Sequence, residues 1–371
     1  KAIGLLSVLV LAGVWGCPQL IVTTPDGARF WRRLIMKGGT TGVAAFTQPT
    51  TVVFGPDGRL YIAQLNGVIL AVTLDSGKRL VEIEEIRTLE GRALIGLAFD
   101  PTGSADEMGL YVADNLGPIN VVVPDFTGKI TRLSGPGFSV AEDVIVGLPR
   151  STADHLTNSL AFGPDQRLYI AQSGMTNNGM PFPAVFGNRE ESPLSAALLV
   201  ADVLAPGFSG IEDVQTFCTG LRNMYDFVFH TNGNIYGVEQ GENAGFGGPP
   251  SSDVPPCEEM GPDPGNQMDQ LELLVEGGYY GHPNPSRGEC AYESDIPGGA
   301  AFIPPLTYFP LREVATGGVE YVASTFGGVM EGDLLVTYFG QSNSVVRVVL
   351  SEDGQAVESL EVLAEGFYNP L

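Results

Sequence analysis

The hydrophobic pattern of the chain consists of short apolar runs separated by tight polar turns. In the stretch that begins at His155, an apolar run at 160–162 is followed by a Gly-Pro-Asp turn at 163–165 and a second run at 168–171. Two short β-prone runs joined by such a turn predict a β-hairpin. Similar stretches begin at Val52, Gly96, Asp226 and, more loosely, Gly318. A strand-turn-strand unit that recurs in this way predicts a β-propeller.

The repeats extend over residues 48–371, which we expect to form one all-β domain. Five repeats are clear, and the final residues GFYNPL look like the start of another. We therefore expect six four-stranded blades, the sixth assembled partly from the termini or from degenerate segments. Two insertions, at about 175–195 and 243–315, interrupt the pattern. Loops of this length are uncommon unless they are functional.

The first residues differ from the rest, because 2–22 form a nearly charge-free apolar run. The run is long enough to cross a bilayer, which takes ~20 residues. A cleaved signal peptide and a retained anchor both fit this pattern, and Trp15 and Trp31 favour the anchor because tryptophan is typical of membrane interfaces. We expect a single transmembrane helix over 1–24 and a juxtamembrane linker over 25–47. The propeller would then lie on the periplasmic, extracytoplasmic side.

The charge balance and the cysteines narrow the function classes. With 19 basic against 43 acidic residues the net charge is −24, which excludes an electrostatic nucleic-acid binder because phosphate contacts need clustered Lys and Arg. The four cysteines show no zinc spacing. Cys257 and Cys290 flank part of the long insertion and are candidates for a disulfide in an oxidising compartment. The pairing among these two and Cys218 stays open.

Several motifs together resemble the glucose/sorbosone dehydrogenase family, the soluble quinoprotein sugar dehydrogenases and their relatives. They are the stretch from His155, GLRNMYDFVFHTNGNIYGVEQGENAGFG from Gly220, DQLELLVEGGYYGHPNP from Asp269, and SVVRVVL from Ser344. The resemblance covers about 48–371 and implies a six-bladed β-propeller. It also implies binding of pyrroloquinoline quinone with calcium (Ca²⁺) and oxidation of sugars at the anomeric carbon.

The resemblance also assigns roles to particular residues. His155 would be the base that removes a sugar hydroxyl proton, a role that suits histidine because its unperturbed pKa is near neutrality. Arg222, Asn223 and Arg347 would contact the tricarboxylate quinone, which needs cations around it. The backbone carbonyls of Gly241 and Glu242 would bind calcium. The other two histidines, His230 and His282, are expected to be structural.

The motifs also depart from the family pattern. Thr157 and Asn158 stand where a Gly-Gly pair is common, Glu242 stands in place of a proline, and no lysine follows Lys129. Arg92 and Arg312 are possible replacement cations. We expect that fewer than three of the four arginines converge on one point, and that neither the quinone nor its calcium is bound.

Two hypotheses follow for the function. The favoured one is a non-catalytic accessory subunit, whose anchor presents the propeller to other subunits of a larger membrane complex, respiratory or photosynthetic. The alternative is a membrane-tethered, quinone-dependent sugar dehydrogenase that passes electrons to a membrane acceptor. A propeller fold does not decide between them, because it serves both classes of function.

Overall fold

The computed structural model describes residues 48–250, 257, 265–290, 301–311, 313–367 and 370, and the backbone of two strands at 21–23 and 29–31. These two strands, β1 (Ile21–Thr23) and β2 (Arg29–Trp31), pair antiparallel as a two-stranded sheet. The other described strands form five four-stranded sheets. In each of these sheets the strands pair antiparallel in chain order, as successive hairpins require.

The five sheets are blades of a propeller, and each blade follows from one sequence repeat. Blade one is β3 (Pro49–Phe54), β4 (Leu60–Gln64), β5 (Ile69–Leu74) and β6 (Leu80–Ile86). Blade two is β7 (Ala93–Phe99), β8 (Leu110–Asn115), β9 (Gly128–Ser134) and β10 (Val140–Leu148). Blade three is β11 (Thr157–Phe162), β12 (Leu168–Gln172), β13 (Ala197–Ala201) and β14 (Gln215–Thr219).

The last two blades complete the described propeller. Blade four is β15 (Met224–Phe229), β16 (Ile235–Glu239), β17 (Gln270–Leu274) and β18 (Thr307–Tyr308). Blade five is β19 (Ala315–Glu320), β20 (Leu334–Tyr338), β21 (Ser344–Leu350) and β22 (Val357–Ala364). Short 3-10 helices lie in the connections at Pro136–Phe138, Ile211–Asp213, Pro285–Arg287 and Thr325–Gly328.

The prediction of an all-β propeller is confirmed, but the expected six blades are wrong for the described residues, which contain five four-stranded sheets. The sixth blade was to come partly from the termini. Instead, β22 completes blade five, and β1 and β2 pair only as a two-stranded sheet, with β1 beside β22. Each of the five repeats read in the sequence makes its own sheet, so the repeats gave the better count.

Hydrophobic packing joins neighbouring blades face to face. Separate buried clusters lie between blades one and two, two and three, three and four, and four and five, with Tyr61, Ile130, Leu198 and Tyr236 as respective members. The first strands of consecutive blades lie side by side. Because both faces of a middle blade are covered, its first strand is held firmly, and residues at the entry of that strand are well positioned for a site.

The Gly-Pro-Asp turn has the same geometry in blades one and three. Asp165 Oδ2 accepts hydrogen bonds from Arg167 Nε at 2.7 Å and from the Tyr169 hydroxyl at 3.0 Å. Asp165 Oδ1 also accepts from the Arg167 backbone N–H at 3.1 Å, which closes the turn. The same contacts recur in blade one between Asp57, Arg59 and Tyr61. The repeated sequence therefore encodes a repeated turn.

Two further expectations concern the N-terminus and the cysteines. The predicted transmembrane segment 1–24 lies outside the described residues except for 21–23, which form strand β1 and not a helix. Within the described residues, no helix is both long enough and apolar enough to span a bilayer. Cys257 and Cys290 form a disulfide and Cys218 is buried with a free thiol, which settles the pairing left open by the sequence.

Candidate functional site

Three of the residues predicted from the family motifs lie at the entries of two adjacent inner strands. His155 precedes β11 of blade three, and Arg222 and Asn223 immediately precede β15 of blade four. Strands β11 and β15 contact each other, so the three side chains lie at the same end of the propeller. All three are buried. Propeller geometry thus brings together residues that are nearly 70 positions apart, as the Asn158–Asn223 hydrogen bond, which spans 65 positions, shows directly.

His155 is held in one orientation. Its Nδ1 lies 3.0 Å from the carbonyl oxygen of Gly174, and its ring packs against Phe186 with ring centroids 4.7 Å apart. A carbonyl oxygen can only accept, so Nδ1 carries the proton and Nε2 carries the lone pair. Burial, followed by the positive charge of Arg222, holds the pKa of His155 well below its ordinary value. The imidazole is therefore neutral at pH 7 and able to accept a proton at Nε2.

Arg222 carries a buried positive charge that no carboxylate among the described residues neutralises as an ion pair. Its Nε donates to the Asn177 carbonyl at 3.0 Å, its Nη2 to Asn177 Oδ1 at 2.7 Å, and its Nη1 to the Gln240 carbonyl at 3.3 Å. Its backbone N–H donates to Glu239 Oε1 at 2.5 Å. A buried guanidinium bound mainly by neutral oxygens favours a nearby anion.

Asn223 is tied into an amide network that also uses one of the departures from the family pattern. Its Oδ1 accepts from Asn158 Nδ2 at 3.0 Å and from Ser173 Oγ at 2.7 Å. Its Nδ2 donates to Gln240 Oε1 at 2.9 Å. Asn158, which stands where a glycine is common, therefore connects blade three to blade four and fixes the Asn223 amide. Thr157 in turn donates to Gln172 Oε1 at 2.9 Å.

Gly241 and Glu242 lie in an oxygen-rich turn after β16. A Cβ on Gly241 would lie 2.5 Å from the Met268 carbonyl oxygen and 2.8 Å from that of Gln267, so only glycine fits. The Glu242 carbonyl accepts from Gln267 N at 2.9 Å. Carbonyl oxygens suit calcium in kind. The described residues contain no group of three or more His, Cys, Asp or Glu side chains arranged to hold a metal.

Two of the other predicted arginines, Arg347 and Arg92, form ion pairs with carboxylates. Arg347 lies in β21, where its Nε donates to Asp333 at 2.5 Å and its Nη1 to Glu361 at 3.2 Å within blade five. Its role was inferred from the motif SVVRVVL, but these acids hold it on the third strand of its blade. Arg92 forms an ion pair with the buried Asp114. Arg312 lies outside the described residues.

Sequence reasoning missed a second buried cation, Arg150. Its Nη1 donates to the Ser151 carbonyl at 2.7 Å and its Nη2 to the Leu116 carbonyl at 2.7 Å, while its buried Nε has no partner. Burial, followed by the charge of Arg189, lowers the pKa of Arg150 to about 10. Ser151 N donates to the His155 carbonyl at 3.1 Å, so Arg150 lies close behind the histidine. A single arginine outside the motifs gave no signal in the sequence.

Sequence reasoning also missed a short connection that contacts His155, Arg222 and Asn223. We call residues 173–179, which follow β12, the strap. Gly174 accepts from His155, Ser173 bonds to Asn223, and Asn177 accepts from Arg222. Several of these contacts use backbone atoms, which leave no mark in the sequence. The insertion at 175–195 was recognised, but only as a long polar loop.

An open cavity of about 640 Å³ lies next to the connection that carries Phe186, and none of His155, Arg222 and Asn223 lines it. Its walls include Thr152, Arg189 and the connections at 120–125 and 183–189. Thr152 Oγ1 donates to the Val185 carbonyl at 2.6 Å, and the neighbouring Phe186 packs on His155. Ligand pockets typically have volumes of roughly 300–1,000 Å³, so the cavity is large enough for a small molecule.

The chain has a relative among well-characterised proteins. No model of a known protein family matches the chain. Quinoprotein glucose dehydrogenase B of Acinetobacter calcoaceticus is 24% identical over 308 residues, which are 74% of this chain and 58% of that protein. The chain therefore spans less than two thirds of the length of this relative.

Solved structures of similar fold agree with this relationship. The form of aldose sugar dehydrogenase from Streptomyces coelicolor that binds pyrroloquinoline quinone (PQQ) has a TM-score of 0.58 at 19% identity, over 89% of this chain and 85% of that one. A calcium structure of a Trichoderma reesei carbohydrate-active enzyme of family AA12 has a TM-score of 0.59 at 15% identity, over 99% and 89%. At these identities the structures show the fold alone. Together with the sequence relative, they confirm the resemblance of this chain to the quinoprotein members of the glucose/sorbosone dehydrogenase family.

Proposed function

We propose that this chain is a PQQ-dependent sugar dehydrogenase. The observation that carries the proposal is the state of His155, whose Nδ1–H is donated to Gly174 and whose Nε2 is left to act as a base. Arg222 and Asn223 lie beside it, as the family resemblance implies. The relative that oxidises glucose and the sugar dehydrogenase structures support this alternative over the accessory role that the sequence favoured.

The described residues fit an anionic quinone in kind. Arg222 and Arg150 are two buried guanidiniums without a carboxylate partner, and burying such charges alone is costly. An anion bound nearby would offset that cost. The amide of Asn223 would add a hydrogen-bonding group fixed by Asn158 and Ser173. The carbonyls around Gly241 would hold calcium. Arg347 and Arg92 have carboxylate partners of their own, so the proposal assigns the quinone to Arg222 and Arg150.

The proposed reaction removes a hydride from the anomeric carbon of a sugar and a proton from its hydroxyl. When bound, the quinone supplies the two-electron acceptor. His155 Nε2 takes the hydroxyl proton, since its depressed pKa keeps it unprotonated before the reaction. The Gly174 carbonyl keeps the ring oriented and accepts more strongly from Nδ1–H once the ring becomes cationic.

The direct test adds PQQ and Ca²⁺ to purified protein and measures dye reduction that depends on added aldose. We expect turnover in the wild type and a loss of about 100-fold or more in His155→Ala, in line with the contribution of a general base. His230→Ala is the matched control. His230 is also mostly buried, but it lies in a turn of blade four, where it contacts Asn232, and it also contacts Gly332 of blade five. Saturable quinone binding without any turnover would instead support the accessory role.

Attachment to a membrane stays a prediction of the apolar run at 1–24, as do partner subunits and an extracytoplasmic location for the propeller. We propose that the run tethers the enzyme close to a membrane electron acceptor. Washing membranes with alkaline carbonate tests this, because a tethered chain stays in the pellet. Release of the intact chain into the supernatant would contradict tethering and leave the dehydrogenase proposal standing.

A further inference from the structure

Glu191 is a fully buried carboxylate that contacts the strap. Its Oε1 accepts from the Thr176 backbone N–H at 2.9 Å, from Thr176 Oγ1 at 2.6 Å and from His282 Nε2 at 3.0 Å. Its Oε2 accepts from the Met175 N–H at 3.0 Å and from Ser195 Oγ at 2.5 Å. Five donors therefore converge on one side chain, more than a surface glutamate would retain.

These donors fix the strap at its centre. Two of them are consecutive backbone N–H groups, at 175 and 176, and a third is the hydroxyl of Thr176, which also accepts from Gly179 N at 2.7 Å. Gly174, one residue earlier, accepts from His155 Nδ1 at 3.0 Å and donates to the Arg222 carbonyl at 2.7 Å. Asn177, one residue later, accepts from the Arg222 guanidinium. Glu191 thus holds the residues between the two that orient His155 and Arg222.

The packing around Gly174 shows how closely Glu191 and His282 approach the strap. A Cβ on Gly174 would lie 3.0 Å from Glu191 Oε1, 3.0 Å from His282 Nε2 and 3.2 Å from the Arg222 carbonyl. The side chains of Glu191 and His282 are both 0% exposed. A displacement of this pair therefore moves the carbonyl on which the tautomer of His155 depends.

We propose that Glu191, paired with His282, is the positioning residue that sets the tautomer of His155 and the orientation of Arg222 through the strap. Glu191 acts through Gly174 and Asn177. His282 is thereby given a role beyond the structural one expected from the sequence. The effect on the tautomer follows from the described contacts, whereas the effect on quinone binding rests on the proposed function.

The test uses Glu191→Gln, which has nearly the same volume. A glutamine replaces one carboxylate oxygen with an NH₂ donor, which must then face an N–H at 175 or 176. Donor would meet donor, and the strap would lose part of its support. The chain offers a matched control in Glu320→Gln, because Glu320 accepts from Thr231 N at 2.8 Å and Thr231 Oγ1 at 2.5 Å and lies 3.6 Å from His230 Nε2.

The first readout needs no cofactor. The chain has only three histidines, so ¹⁵N NMR of histidine-labelled protein resolves each ring. We expect wild-type His155 in the Nδ1–H tautomer and His230 in the Nε2–H tautomer, since His230 Nε2 faces the Gly332 carbonyl and its Nδ1 accepts from Asn232 N. Glu191→Gln should move His155 towards a mixture of tautomers, and Glu320→Gln should leave it unchanged.

The second readout is the affinity for PQQ with Ca²⁺, without sugar. We expect Glu191→Gln to weaken it on the order of tenfold or more, because small displacements in a site are costly, and Glu320→Gln to leave it unchanged. Thr176→Val removes the hydroxyl that donates to Glu191 and accepts from Gly179 N, and it leaves the carboxylate in place. It should act in the same direction more weakly, and it tests the proposal if Glu191→Gln does not fold. Unchanged His155 signals in a folded Glu191→Gln or Thr176→Val protein would overturn the proposal. Absence of quinone binding in the wild type would refute the proposed function, and the NMR result would still decide the positioning.

Discussion

Two buried glutamates, Glu191 and Glu272, are in opposite environments. Glu191, beside the strap, accepts five hydrogen bonds. Glu272, in β17 of blade four, is 0% exposed, and neither of its carboxylate oxygens has a hydrogen-bond partner among the described residues. Burial acts on both groups in the same direction, so the difference comes from the donors that surround them.

The pKa values of the two groups separate accordingly. Burial would raise the pKa of Glu191, but the hydrogen bond and charge of His282, with the hydroxyls of Ser195 and Thr176, lower it to about 2. Burial raises the pKa of Glu272 well above its ordinary value, and the charge of Glu239 adds to the shift. Burial therefore does not decide whether a carboxylate is charged, whereas the number of N–H and O–H groups that point at it does.

The largest expected effect comes from removing the charge at Glu191. Glu191→Gln should lower the free energy of unfolding at pH 7 by roughly 2–4 kcal/mol, because it leaves buried donors without an acceptor. Urea denaturation measures this value. A change below about 0.5 kcal/mol, the usual size for a surface substitution, would mean that the five contacts contribute little.

Acid should remove the same contribution in the wild type. The folded-state pKa of Glu191 is depressed from 4.5 to about 2, so its stabilisation is fully present above pH 4.5 and is lost as the pH falls through about 2. A shift of this size corresponds to about 3 kcal/mol at most. The stability difference between the wild type and Glu191→Gln should therefore shrink between these pH values. A constant difference would show that Glu191 does not titrate as described.

Glu272→Gln should have the opposite sign. The folded-state pKa of Glu272 is raised above 4.5, so its neutral form is compatible with the fold at low pH, and stability is lost as the pH rises above 4.5 towards the folded-state value. We expect the variant to be roughly 1–2 kcal/mol more stable than the wild type at pH 8 and equal to it near pH 4. Glu142→Gln, at an exposed position, is the control. If Glu272→Gln were less stable than the wild type at pH 8, the proposed contrast between Glu272 and Glu191 would be wrong.

The smallest effect should come from removing one donor. Ser195→Ala removes a single hydroxyl from Glu191 and should cost about 1 kcal/mol, because four donors remain. Ser286→Ala, which removes an exposed hydroxyl bonded to Asn284, should change the unfolding free energy less. Equal losses of unfolding free energy in the two variants, measured by thermal or urea unfolding, would show that the buried hydrogen bond contributes no more stability than the exposed one.

The sequence predicted the parts of the molecule that repeat. The Gly-Pro-Asp turns identified the hairpins, because Asp165, Arg167 and Tyr169 form one local unit that also occurs in blade one. Motif resemblance found His155 and Arg222, whose place at strand entries follows from the blade order. The predicted number of blades differs from the five four-stranded sheets of the described residues, because the family pattern was preferred to the repeats themselves.

The remaining parts of the site depend on contacts that sequence patterns do not record. Glu190 and Glu191 are adjacent acids in a polar insertion, yet the first is exposed and the second buried. Glu272 alternates with Leu271 and Leu273, which is typical of a strand with one solvated face. A blade between two others has no solvated face. The alternation therefore predicts an exposed Glu272, whereas the structure buries this carboxylate between blades.

The strap binds the site largely through its main chain, since Gly174 uses its N–H and carbonyl and Asn177 uses its carbonyl in addition to its side chain. Natural selection acts on side chains, and a peptide group is the same whichever residue carries it. Residues of this segment whose side chains make no contact can therefore change without altering its path. Superposition of the backbones of homologues would detect such a segment where sequence alignment would not. A loop transplanted between homologues would still support the site if its backbone followed the same path.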